Sequence, residues 1–184
     1  MSQILQRSPW TPQLYARALA GAALPGFLWG GGDRLPRRSL SLEGVDFSEQ
    51  RIRDYRRVCG DGPGLPPAML HIPGFPLALQ LMTARDFPMS ALGMVHIANT
   101  IEVLAHLETT DEFDITVELA NPRTQRKGAQ GGAITTARRD DVVVWREVST
   151  YLSRGSRLTD AGEADPQREW PAPSAAAEQI AIDV

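Results

Sequence analysis

Hydrophobic and polar residues alternate most clearly past the middle of the chain, where Phe113, Ile115, Val117 and Leu119 are interleaved with Glu112, Asp114, Thr116 and Glu118. A period of two with one wet face describes a strand of an antiparallel sheet. Looser runs over residues 92–104, 128–138 and 141–152 predict three more strands, and Arg139-Asp140-Asp141 is short enough to turn the last pair into a hairpin. An earlier strand is expected over residues 39–47, where Leu40 and Leu42 fall out of step with Val45 and Phe47 at Gly44.

Helical stretches lie between these. Ser48 offers an N-cap, although Arg51 rather than an acid stands three residues on, and Gly60 can end the helix after Cys59. Residues 59–67 are rich in Gly and Pro and read as loop. Residues 75–85 are nearly continuously apolar, with Phe75, Leu77, Ala78, Leu79, Leu81 and Met82 and no charged face before Arg85. That run is too long for a short strand and predicts a buried helix, stopped by Phe87-Pro88. A shorter helix is expected over residues 11–20. One buried helix followed by a run of strands makes the fold class α+β, with the sheet wrapped about the helix.

The length of 184 residues favours one core with appendages. We divide the chain into an N-terminal arm over residues 1–38, a sheet-and-helix domain over 39–155, and a tail or linker rich in Ala, Pro, Glu and Asp over 156–184. A net charge of -3 gives no global attraction for nucleic acid or anionic lipid. No apolar run reaches the roughly 18 residues that a spanning helix needs, and residues 14–29, the nearest to a leader, are broken by Arg17 and Pro25. A lone cysteine, Cys59, fits a reducing compartment, so a cytoplasmic location is the expectation. Lys127 is the only lysine and sits in a polar stretch, which argues against Schiff-base chemistry.

The most informative string is Tyr55-Arg56-Arg57-Val58-Cys59-Gly60-Asp61, at the end of a helix and entering a Gly/Pro loop. It resembles the signature of the MaoC-like hydratases of the hot-dog superfamily, aromatic-x-x-Val-Ser/Cys-Gly-Asp-x-Asn-Pro-Ile/Leu-His. The match holds through Asp61 and then departs, because Pro63-Gly64-Leu65-Pro66 stands where the family has Asn-Pro-Ile-His, and Pro66 takes the place of the histidine. The run from Leu65 to Leu77, followed by Leu92-Gly93-Met94-Val95-His96-Ile97, is similar to the N-terminal, non-catalytic repeat of two-repeat members of that family. The resemblance spans residues 42–155 and implies a hot-dog fold whose two repeats enclose the substrate.

Adding water to an enoyl thioester needs one group to take its proton and another to protonate the α-carbon. Asp61 alone cannot do both, and His71, ten residues on rather than five, is the substitute candidate. Asp61 also serves as a turn-capping residue without any catalytic duty. At the start of the central helix, the backbone N–H groups of Gly74 and Phe75 are candidates to hold a thioester oxygen. Leu79 and Met82 would wall an acyl tunnel, or simply belong to the core. Arg123 and Arg126, with Lys127, cluster in a turn over residues 121–128, where they could meet the phosphates of coenzyme A or of a carrier-protein arm, or remain solvated. His96 reads as a structural histidine in a strand and His106 as solvated beside Glu108, and neither joins His71 at metal-ligand spacing. Gly30-Gly31-Gly32 lacks the Lys-Ser/Thr of a phosphate loop.

These residues and the resemblance lead to an acyl-thioester-binding half of an enoyl-CoA hydratase or 3-hydroxyacyl-thioester dehydratase, with the Asp/His pair supplied by a second repeat or subunit. The implied partners are an acyl-CoA or acyl-carrier-protein thioester and a second hot-dog chain, in a homodimer or a heterodimer. No redox cofactor or metal is implied, since water adds across a bond already conjugated. Two other readings stay open: a self-sufficient homodimer using Asp61 and His71, and a non-enzymatic acyl-CoA-binding or scaffold subunit.

Overall fold

The computed structural model describes residues 2–23, 33–60, 62–91, 93–125 and 128–162. In chain order the elements are β1 (Ser2–Leu5), α1 (Thr11–Ala23), β2 (Ser39–Val45), α2 (Glu49–Cys59), a 3-10 turn (Pro67–Leu70), α3 (His71–Met82), β3 (Val95–Val103), β4 (Phe113–Gln125), β5 (Gly128–Arg139) and β6 (Val142–Arg154). The strands form a sheet of order β1-β2-β4-β5-β6-β3. All neighbours are antiparallel except β1, which pairs in parallel with β2.

The local chemistry explains most of these boundaries. β2 loses register between Leu42 and Val45, at Gly44, whose φ of 65° is cheap only for glycine. Ser48 caps α2 by accepting from the Arg51 N–H at 3.4 Å, and the chain leaves that helix at Gly60 with φ 97°. β5 and β6 are joined through Asp140 and Asp141, both left-handed (φ 49° and 63°), as a two-residue hairpin that follows the strand twist requires.

The helix α3 lies against the sheet, touching β2, β4 and β5. Leu77 and Leu81 on it are buried with Phe113, Ile115 and Val117 of β4 and with Trp145 of β6. A sheet wound about one buried helix is the hot-dog arrangement. At Gly74 the helix backbone approaches so closely that an added Cβ would stand 2.8 Å from the Thr135 methyl on β5.

Three boundaries differ from the sequence pattern. The central helix begins at His71, not Phe75, and ends at Met82, before Arg85. Pro73 and Pro76 read as breakers, yet Pro73 sits in the first turn, where its missing N–H costs nothing. Pro76 forfeits only the bond to the carbonyl of Ile72, an exposed residue whose carbonyl water can serve. Residues 121–125, expected as turn, continue β4 beyond an irregularity between Ala120 and Arg123 that accompanies the positive φ of Asn121. The third difference lies in the arm, which contributes β1 to the sheet.

After β6 the chain turns back over the domain. Leu158 is buried, Thr159 N–H donates to Asp33 O, and Gly162 exchanges backbone bonds with Pro122 and Thr124. Gly30-Gly31-Gly32 and residues 163–184 lie outside the described residues.

Candidate functional site

The inward face of β6 carries Trp145, Glu147, Ser149, Tyr151 and Ser153, all buried. Successive side chains of a strand alternate between faces, so these five share one. A carboxylate in that row must find partners or cost several kcal/mol. Glu147, 1 % exposed, finds them on two other elements. His71, the first residue of α3, places Nδ1 2.7 Å from Glu147 Oε1, and Asn99 of β3 donates its Nδ2 hydrogen to the same oxygen at 2.7 Å. The cluster therefore ties the start of the central helix to the edge strand through the strand between them.

The hydrogen bond to Glu147 raises the pKa of His71, burial opposes it, and the glutamate charge adds to the rise. Nδ1 is engaged by Glu147, and the His71 side chain remains one-third exposed. Phe75, one helical turn on, lies against the imidazole with ring centroids 5.8 Å apart. A carboxylate that fixes a partly exposed imidazole is an arrangement suited to proton transfer.

Further along the row, Tyr151 stacks on His96 of β3 at 4.7 Å. Burial pushes its phenol up, with the nearby Ser149 hydroxyl pulling the other way. Tyr151 also lines an apolar recess of about 10 Å³, room for about one water molecule, together with Leu35, Met82, Phe87, Met89 and Leu119. That is far below the roughly 300 Å³ at which ligand pockets begin.

Of the residues singled out by sequence, His71 joins the cluster and Met82 lines the recess. Leu79 is buried in the core and does not line the recess. Gly74 and Phe75 are four and five residues into α3, so their N–H groups are spent on carbonyls one turn earlier and are not a helix end offering donors. Arg123 belongs to β4 rather than a turn, exposed and beside Gly162. Asp61 and Arg126 lie outside the described residues. His96, expected as a hydrogen-bonded structural residue, is exposed on the edge strand and stacked on Tyr151, while His106 is exposed beside Glu108 at 3.1 Å. Among the described residues no group of three His, Cys, Asp or Glu side chains is placed to hold a metal ion, and no helix is long and apolar enough to cross a membrane.

Sequence reasoning missed Glu147 and Asn99. A signal for Glu147 was present: it has the same strand parity as Trp145 and Tyr151, so a carboxylate falls on the face that must pack. Asn99 carries no comparable mark.

No family model matches the chain. It is 29% identical to 3-hydroxyacyl-thioester dehydratase X (HtdX) of Mycobacterium tuberculosis over 136 residues, which are 73% of this chain and 48% of that protein. The crystal structure of HtdX superposes with a TM-score of 0.58 at 27% identity, covering 64% of this chain and 51% of the other. The HadBC complex of Mycobacterium tuberculosis, a (3R)-hydroxyacyl-ACP dehydratase, gives a TM-score of 0.51 at 14% identity over 64% of this chain and 98% of that one, a likeness of fold. The chain spans about half the length of the HtdX sequence and structure it matches. In sequence and in architecture the chain is similar to the 3-hydroxyacyl-thioester dehydratase HtdX, and its fold is that of a hot-dog domain.

Proposed function

We propose that the chain is the acyl-thioester-binding half of an enoyl-CoA hydratase or 3-hydroxyacyl-thioester dehydratase. It shapes the acyl pocket, and a second repeat or subunit supplies the Asp/His pair. The observation that carries this reading is the match itself: 73% of the chain accounts for only 48% of a 3-hydroxyacyl-thioester dehydratase. Pro66 at the signature histidine position agrees with it, since the chain then lacks half of the expected acid–base pair in that motif.

The sheet edge supports a partner of the same kind. Among the described residues β3 pairs with β6 alone, and eight of its nine residues are exposed, Val95, Ile97 and Val103 among them. An unpaired strand with apolar residues on an open edge is a template for another strand. A second hot-dog unit added there, as a homodimer or a heterodimer, would also cover the recess beside Tyr151. Arg123 and Arg126 are proposed contacts for the phosphates of coenzyme A or of a carrier arm, and Asp61 a proposed neighbour of the thioester.

The test uses crotonyl-CoA and the absorbance of the enoyl-thioester band. The chain alone is expected to gain thermal stability from the thioester without changing the absorbance. Mixing with a hot-dog chain that bears a complete Asp/His pair is expected to make it fall. Binding without turnover in both arms favours the scaffold reading. The orientation of His71 by Glu147 favours a second reading, the self-sufficient homodimer using Asp61 and His71, and turnover by the pure chain that disappears in Asp61→Ala would establish it.

A further inference from the structure

The inward face of β5 is built from small residues, Ala129, Gly131, Ala133 and Ala137 among them, all buried. At Gly131, opposite Tyr151 of β6, no side chain stands on the backbone. A glycine inside a central strand marks a place where something else comes close. Here two apolar side chains do so: a Cβ added at Gly131 would stand 3.0 Å from the Met89 methyl and 3.4 Å from a Leu35 methyl. Leu35 and Met89 thus lie on bare backbone and, with Met82 at the end of α3, close the recess down to room for about one water. Met89 belongs to the sheet-and-helix domain. Leu35 comes from the N-terminal arm, outside residues 42–155.

The arm keeps Leu35 there with contacts at the surface. Residues 33–38 contain no helix or strand, and Leu35 is the one buried residue among them. Thr159 N–H donates to Asp33 O at 2.8 Å, Arg34 Nε donates to the Thr159 hydroxyl at 3.4 Å, and Arg38 pairs with Asp86. Both arginine contacts are exposed, and exposed contacts of this kind contribute little. The segment is therefore retained chiefly by the burial of one leucine. An apolar chain entering the same space would bury the same kind of surface, so one can replace the other at small net cost. We propose that residues 33–38 form an autoinhibitory strap, in which Leu35 plugs an apolar slot along Gly131 and the hydrocarbon chain of a ligand enters by displacing it. The proposal rests on the thioester reading above in taking an acyl group as that chain, and it adds regulation by a segment outside the hot-dog core.

The full chain and its Leu35→Ala variant are titrated in a calorimeter with decanoyl-CoA and, separately, with butyryl-CoA. Shortening the plug is expected to tighten decanoyl-CoA binding about tenfold, the worth of about two more buried methylenes. Butyryl-CoA, too short to reach the plug, is expected to bind both proteins alike. Equal decanoyl-CoA affinity in the two proteins, or an equal gain for both thioesters, would overturn the strap and leave the thioester reading intact. Binding of neither thioester by either protein would overturn both. If the variant fails to fold, hydrogen exchange of the wild-type chain decides. Saturating decanoyl-CoA is expected to speed exchange of the Thr159 N–H, released from Asp33 O, whereas butyryl-CoA leaves it unchanged. Exchange no faster with decanoyl-CoA bound would mean that the strap stays in place, and the proposal would fall.

Discussion

The two flanks of the sheet are built on opposite terms. On the β2–β4 side the inward row is Phe113, Ile115 and Val117, each at most 1 % exposed, and β2 is itself covered at its outer edge by β1. On the β6–β3 side the inward row is interrupted by Glu147, Ser149 and Ser153, and among the described residues the outer edge, β3, is exposed at eight of its nine positions. The first flank is closed by apolar packing against α3. The second is held by a hydrogen-bonded cluster and ends at a bare strand. Apolar packing and polar contact are therefore divided across the same helix, with α3 packed chiefly against β2 and β4 and hydrogen-bonded to β6 through its first residue, His71.

The contrast predicts unequal sensitivity to truncation. Phe113→Ala, on the closed flank, is expected to cost about 4 kcal/mol of unfolding free energy, the lost transfer energy plus the cavity left behind. The equivalent shortening on the open flank, Val95→Ala or Val103→Ala, is expected to stay within about 0.5 kcal/mol, because those side chains are half exposed already. Urea unfolding of the isolated chain measures both. Equal losses would mean that β3 is covered in the free protein and that the comparison is false.

The cluster itself separates the flanks next. His71→Leu leaves the Glu147 carboxylate buried with Asn99 alone, and is expected to cost about 3 kcal/mol. The double replacement His71→Leu with Glu147→Leu removes the charge together with its partner and is expected to be more stable than that single variant. A double variant no better than the single one would show that Glu147 is solvated, contrary to its burial.

How far the two flanks were legible follows from the same physics. The closed flank announces itself: Glu112 to Leu119 alternates without exception, and Leu40, Leu42 and the break at Gly44 place β2 and its irregularity correctly. The hairpin at Asp140-Asp141 is equally local, set by two residues that tolerate left-handed backbone. The start of α3 was obscured because Pro73-Gly74 and Pro76 are breakers in most helices, and their cost depends on position and on the exposure of Ile72, which no sequence window contains. The cluster was hidden for a different reason. His71 and Glu147 are 76 residues apart, and Asn99 lies 48 from Glu147, so only the strand order β5-β6-β3 brings them together. Long-range pairing of this kind leaves no periodic trace.

A smaller effect on the closed flank concerns α2, which follows β2. Ser48→Ala removes the acceptor of the Arg51 N–H and is expected to cost about 1 kcal/mol. Because α2 carries only Ile52 as a buried residue, the change should leave thioester binding untouched, and calorimetric titration beside the urea curve checks both.

The finest test is pH, and it acts on the open flank alone. His71 in the folded chain holds its proton above the ordinary histidine value of about 6.5, because Glu147 favours the imidazolium. Below that value the histidine is charged folded and unfolded alike, and the whole ionic contribution is present. As pH rises through the raised folded value, the folded chain gives up its proton too, and the contribution is lost. The side chain is one-third exposed, so solvent screening limits the change to under about 1 kcal/mol. Subtracting a His71→Gln variant isolates the contribution of this one imidazole. The difference in urea midpoint between the wild type and that variant should therefore be largest near pH 6 and shrink toward pH 8.5. A difference that instead grows with pH would mean that the folded chain holds the imidazole neutral, against the direction expected from its bond to Glu147.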